Sequence, residues 1–95
     1  MTPFLIDQRY QDRPGNSYVT KLFEEGVRRI AQKVGEEAVE VVLASVGGSK
    51  IDIRNEAADL LFHLLVLLRE CHTTLIEVAL ELNKRAQGAS ISNKQ

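Results

Sequence analysis

From Tyr18 to about Val46 apolar residues recur at helical spacing, and the run closes on Gly47-Gly48 as a helix C-terminus should. Ser17 stands just before it as a good N-cap. Gly26 and Gly35 lie inside the run, each costing about 1 kcal/mol relative to alanine. Gly26 is the point where a break is expected. Ser49 with Asp52 three residues later has the form of a capping box with Asp in place of Glu, and it opens a helix reaching about Cys71. Thr74 and Glu77 repeat the device for a last helix ended by Gly88. Strand-type alternation is nowhere sustained, so the predicted class is all-α.

The flanks read differently. Residues 1–16 carry both prolines, Pro3 and Pro14, and the turn-forming cluster Asp12-Arg13-Pro14-Gly15-Asn16, which predicts a short helix or extended arm followed by a loop. Residues 89–95 predict a loose tail. Residues 1–95 make a single small domain, short enough that a partner subunit would help it bury its surface.

Helical geometry sorts the polar residues. With Glu36 at zero and about 100° per residue, Arg29, Glu40, Lys33 and Glu37 fall within about 100° of it. Ile30, Val34, Ala38, Val39, Val41 and Val42 take the opposite side, a face expected to pack into a core. On the next helix Asp52, Glu56, Asp59, His63 and Glu70 share one narrow stripe spanning about 60°. The stretch 57–67, ADLLFHLLVLL, is apolar in nearly every other direction, which predicts that it is buried nearly all round and that Asp59 points into protein.

An ionised carboxylate there costs several kcal/mol unless something compensates it. Lys33 or Arg29 can serve, or a metal ion. Glu37 and Glu40, one turn apart, would face Glu56 and Asp59 across two helices as a cage of hard oxygens suited to Mg²⁺ or Mn²⁺, with zinc disfavoured by the lack of Cys and His donors. His63 is expected to hydrogen-bond across helices or support the site rather than ligate. Magnesium so held is completed by waters and substrate phosphates, for which Lys33 and Arg29 are placed, and the combination suggests phosphoanhydride hydrolysis. No GxxxxGK[ST] loop is present, so this is not a P-loop enzyme.

Composition narrows the field further. A net charge of −1 with scattered Lys and Arg gives no basic footprint, so no nucleic-acid partner is expected. The apolar runs fall far below the roughly 20 residues of a membrane span, and no secretion leader is visible, so the expectation is a cytoplasmic protein. Cys71, the single cysteine, reads as a small buried apolar residue near a helix end.

The order Glu37-x-x-Glu40, fifteen residues, then Glu56-x-x-Asp59 resembles the signature of the all-α NTP pyrophosphatase superfamily, which includes MazG-type enzymes and dimeric dUTPases. The text around it is narrower: Ser17-Tyr18, Lys21-Leu22, Ile30-Ala-Gln-Lys33-Val-Gly35-Glu36-Glu37-Ala-Val-Glu40, and Asn55-Glu56-Ala-Ala-Asp59-Leu60-Leu-Phe-His63 closely resemble the phosphoribosyl-ATP pyrophosphohydrolase family of histidine biosynthesis over about residues 5 to 85. The resemblance implies Mg²⁺-dependent hydrolysis of phosphoribosyl-ATP to phosphoribosyl-AMP and pyrophosphate by a helical bundle completed by homodimerisation, or by a higher oligomer. It implies metal ligation by Glu37, Glu40, Glu56 and Asp59, with Glu36 as a further ligand or the base that positions water. Lys33 would contact phosphate, and Lys21 and Arg29 would take weaker phosphate roles. Val19 departs from the family's Ser-Tyr-Thr, so any hydroxyl contact there is lost or moves to Thr20. The cyclohydrolase domain fused in some members is not in the sequence, and the expectation is a separately acting chain.

Two rivals remain at this point. One is an all-α pyrophosphatase for another nucleoside triphosphate. The other is a non-catalytic helical dimerisation module whose acids form a wet face.

Overall fold

A computed structural model of the chain describes residues 17–88. The expected N-terminal arm and C-terminal tail lie outside the described residues. Four helices make up the described part: α1 (Tyr18–Glu25), α2 (Val27–Gly47), α3 (Lys50–Glu70) and α4 (Leu75–Gln87). The all-α reading holds, and most helix ends have the cause that the sequence suggested.

Ser17 caps α1, its hydroxyl accepting from the Thr20 N–H at 3.4 Å. The break falls at Gly26, whose φ of 93° is open to glycine at little cost. Its N–H still donates to the Leu22 carbonyl, so α1 ends satisfied while the chain turns into α2. Gly35, by contrast, stays helical inside α2. At the α2–α3 turn a Cβ on Gly48 would stand 2.7 Å from the Ala44 carbonyl oxygen and 3.1 Å from the Asp52 Cβ. Only glycine lets the two long helices turn back so closely.

Both capping boxes form. Ser49 Oγ accepts from the Asp52 N–H while Asp52 Oδ2 accepts from the Ser49 N–H, each at 3.2 Å. At α4 the Thr74 hydroxyl accepts from the Glu77 N–H at 3.1 Å, and Glu77 Oε2 accepts from the Thr74 N–H at 2.9 Å and the Thr73 hydroxyl at 2.7 Å. These donors stabilise the carboxylate and pull the Glu77 pKa below its ordinary value, the Thr73 hydroxyl being the largest cause.

The contacts of α2 with α3 dominate the fold, and α1 lies against both. The core sits where the three meet: Val19, Leu22 and Phe23 from α1, Ile30 from α2 and Val66 from α3 are buried, with Phe62, Leu65 and Leu67 packed against them. Ile30 and Val66 are fully enclosed, both at 0% exposure.

Three expectations fail within the single chain. The apolar face of α2 is covered only in part: Ile30 is buried and Val34, Ala38 and Val41 are half-buried, but Val39 and Val42 are exposed. The stretch 57–67 is enclosed only at His63 and Val66, while Leu61 is exposed and Asp59 faces solvent. With α2 and the short α1 as its neighbours, α3 keeps its far side open. Cys71 is exposed, because it follows the last turn of α3 and lies past the packed interface.

The α3–α4 junction is closed by a Schellman motif. Thr73 N–H donates to the Leu68 carbonyl at 2.9 Å and His72 N–H to the Arg69 carbonyl at 3.1 Å, which forces His72 to φ 63°. A side chain in that left-handed region costs on the order of 1 kcal/mol. His72→Gly is therefore expected to stabilise the protein by up to about 1 kcal/mol, with part of the gain offset by the greater freedom of glycine in the unfolded chain. Urea unfolding followed by circular dichroism checks the sign; an unchanged or lower midpoint would contradict a strained His72.

Candidate metal and phosphate site

The polar stripe of α3 meets the acidic face of α2. Glu37 on α2 and Glu56 and Asp59 on α3 each offer a carboxylate oxygen, and these three atoms lie within 4.8 Å of one another. Glu56 and Asp59 are three residues apart and so share a face of α3. The α2–α3 turn brings Glu37 opposite them. Glu37 and Glu56 are half-buried and Asp59 is exposed, so the group has a shielded floor and an open rim.

The charge density shows in Glu56. Its carboxyl is held above the ordinary carboxylate range, first by partial loss of water and then by the negative charges of Glu40, Asp59, Glu37 and Asp52 in that order. Glu40 is thus a close electrostatic neighbour of Glu56, although it stands outside the 4.8 Å group. The expected four-carboxylate cage appears as three gathered atoms and a fourth acid beside them.

Lys33 Nζ lies 3.7 Å from both Glu36 Oε1 and Glu37 Oε1. Glu36 is exposed and also accepts from Gln32 Nε2 at 3.0 Å. Arg29 pairs instead with Glu25 across the α1–α2 break at 3.6 Å. Lys21 is exposed on α1, and among the described residues no ion pair joins it to these acids.

His63, one turn beyond Asp59, is buried. Its Nδ1 lies 2.8 Å from the Asp59 carbonyl oxygen, which can only accept, so in the neutral ring the proton sits on Nδ1. Nε2 then accepts from the Tyr18 hydroxyl at 2.9 Å. The Tyr18 ring stacks on Phe62 with centroids 5.9 Å apart, and Phe62 and His63 meet edge to face at 4.9 Å. Both imidazole nitrogens are engaged, so His63 tethers α1 to the turn that carries Asp59. The sequence suggests such a supporting role; the Tyr18 partner was not foreseen, although Tyr18 and His63 each stand out as polar groups beside apolar neighbours. Gln32, which braces Glu36, gives no signal in the sequence beyond its i,i+4 spacing.

The donor chemistry fits a hard divalent cation. Carboxylate oxygens are the ligands Mg²⁺ and Mn²⁺ prefer, the group includes no thiolate or free imidazole, and its negative charge exceeds what Lys33 alone offsets.

A family model described as phosphoribosyl-ATP pyrophosphohydrolase matches residues 4–86. A phosphoribosyl-ATP pyrophosphatase of Rhizorhabdus wittichii is 47% identical over 81 residues, covering 85% of this chain and 76% of that protein. The histidine biosynthesis bifunctional protein HisIE of Xanthomonas campestris pv. campestris is 60% identical over 65 residues, covering 68% of this chain and 32% of that protein. Its counterpart in Xanthomonas axonopodis pv. citri is 52% identical over 83 residues, 87% of this chain and 40% of that protein. The chain thus spans between 32% and 40% of the length of these two bifunctional relatives.

The upward shift of Glu56 sets a direction with pH. The folded protein binds that proton more tightly than the unfolded chain, so this group favours folding as pH falls through its folded pKa and opposes it as pH rises above. In the presence of a chelator, Glu56→Gln is expected to melt higher than the unsubstituted protein at neutral pH, with the difference closing in acid. Thermal melts of the two proteins across that range provide the check, and a constant difference would contradict a repelled carboxylate.

Proposed function

We propose, from the premise that the chain belongs to the phosphoribosyl-ATP pyrophosphohydrolase family, that it hydrolyses phosphoribosyl-ATP to phosphoribosyl-AMP and pyrophosphate, as a step of histidine biosynthesis. The observation that carries the reading is the meeting of Glu37, Glu56 and Asp59 from two helices within 4.8 Å. An unliganded surface has no use for that repulsion, whereas a cation-dependent hydrolase does.

In this reading Glu37, Glu40, Glu56 and Asp59 hold Mg²⁺, or Mn²⁺ in its place. The bound ion would lower the pKa of a water and screen charge on the triphosphate. Lys33 binds a phosphate oxygen, and Lys21 and Arg29 extend that positive edge. A water oxygen bonds to a phosphorus of the α–β anhydride as the bridging P–O bond to that phosphorus breaks, and phosphoribosyl-AMP and pyrophosphate separate. Glu36 takes the water's proton, since it stands outside the gathered group and is braced by Gln32. Tyr18 and His63 keep the Asp59 turn in place.

Asp59→Asn is expected to lower kcat by about 10² to 10³-fold while the circular dichroism spectrum stays helical. Pyrophosphate release from phosphoribosyl-ATP measured with and without Mg²⁺ tests the assignment. Unimpaired turnover by the variant would remove Asp59 from the site, and faster turnover of another nucleoside triphosphate would redirect the substrate.

The same proposal includes a homodimer in the cytoplasm. Among the described residues no helix is long and apolar enough to cross a membrane. Val39, Val42, Leu43 and Val46 on α2 and Ile76 and Leu80 on α4 are exposed, and none of α4's residues is buried. A second copy packed on these faces would supply the enclosure that one chain lacks. Sedimentation is expected to give twice the chain mass, with Val42→Glu shifting the protein toward monomer; a monomeric parent protein would refute the pairing.

A further inference from the structure

Among the described residues, Lys33 forms ion pairs that reach the carboxylate group itself. Its ammonium is equidistant from Glu36 and Glu37, at 3.7 Å each, and Glu37 belongs at once to this ion pair and to the three-carboxylate group. The Lys33 and Glu37 side chains are only 21% and 14% exposed, so their attraction is screened less than that of the Arg29–Glu25 pair on the surface. Helix stabilisation explains little of it, because Lys placed N-terminal to Glu at i,i+4 is the weaker order of such a pair.

We infer that Lys33 is the resident counter-ion of the three-carboxylate group and is exchanged when a divalent cation binds. The ammonium offsets part of the negative charge gathered by Glu37, Glu56 and Asp59, which keeps the ion-free fold from carrying the full repulsion. An incoming cation competes for the same Glu37 carboxylate. Two positive centres at that range repel, so filling the group turns the ammonium outward toward the side from which phosphate approaches. One residue therefore weakens binding of the bare ion and strengthens binding of the ion with its polyphosphate. The phosphate half rests on the proposed function, while the exchange is a property of the protein and the ion alone.

The test uses Mn²⁺ without nucleotide, with free Mn²⁺ read by electron paramagnetic resonance. Lys33→Met is expected to bind Mn²⁺ about tenfold more tightly than the unsubstituted protein, the order of effect of one unit charge a few ångströms away in a partly wet site. Arg28→Met, which removes a positive charge from an exposed position of the same helix, is expected to leave the affinity unchanged. Tripolyphosphate binding to the Mn²⁺-loaded protein is expected to be about tenfold weaker in Lys33→Met, again by the loss of one short-range charge. Equal or weaker Mn²⁺ binding by a helical Lys33→Met would overturn the exchange, and absence of Mn²⁺ binding in both proteins would overturn it together with the metal site. Unaltered tripolyphosphate binding would overturn the outward turn of the ammonium. A parent protein that fails to hydrolyse phosphoribosyl-ATP would refute the proposed substrate and leave the Mn²⁺ comparison to stand or fall by itself.

Discussion

Three carboxylates from two helices within 4.8 Å is an unfavourable arrangement that the chain must hold by other means. A neighbouring negative charge raises the proton affinity of a carboxylate, and Glu56, with four acids around it, is held above the ordinary carboxylate range. The restraint comes from the packing beside it. Ile30 and Val66 are fully enclosed at the meeting of α1, α2 and α3, and Gly48 allows α2 and α3 to fold back on one another without separation at the turn. Apolar burial fixes the distance between helices, and the acids have to accept it.

Helix α1 is part of that restraint. It is eight residues long, yet it supplies Val19, Leu22 and Phe23, three of the five buried apolar residues of the core among the described residues. The kink at Gly26 is what lets so short a helix return across the other two. Its first residue, Tyr18, is bound through His63 to the backbone of Asp59, so the position of α1 and the position of one acid are coupled. Because the imidazole donates from Nδ1 and accepts at Nε2, neither end of the link leaves a buried polar atom unpaired.

What the sequence made legible is local. Caps at Ser17, Ser49 and Thr74 depend on residues three positions away, and each formed with the partner that spacing indicated. The faces of Glu37 and of Glu56 with Asp59 follow from helical periodicity alone, so their convergence needed only the α2–α3 turn. Glu40 was harder, because its neighbour Glu37 is three residues away and only the relative rotation of two helices decides which of them comes nearest. Coverage was the least legible feature. Val39, Val42 and Cys71 carry the side chains of a core, but whether anything lies over them depends on elements far along the chain or outside it. The Tyr18 to His63 bond, across 45 residues, belongs to the same class.

The exposure of Asp59 contradicts burial of that residue within one chain, and it also clarifies the chemistry. A carboxylate sealed in the interior would need its compensating charge before folding was complete. With Glu37 and Glu56 half-buried below and Asp59 open above, compensation can come from solvent after the helices have formed. A hard cation that keeps waters and phosphate oxygens in its shell requires such an open side, because a closed cage of protein oxygens would exclude the ligand that is to be cleaved. The proposed reaction therefore depends on an incompletely buried site, and the tether through His63 explains how an exposed side chain can still be held in register: its backbone is fixed from the inner face while its carboxylate remains available on the outer one.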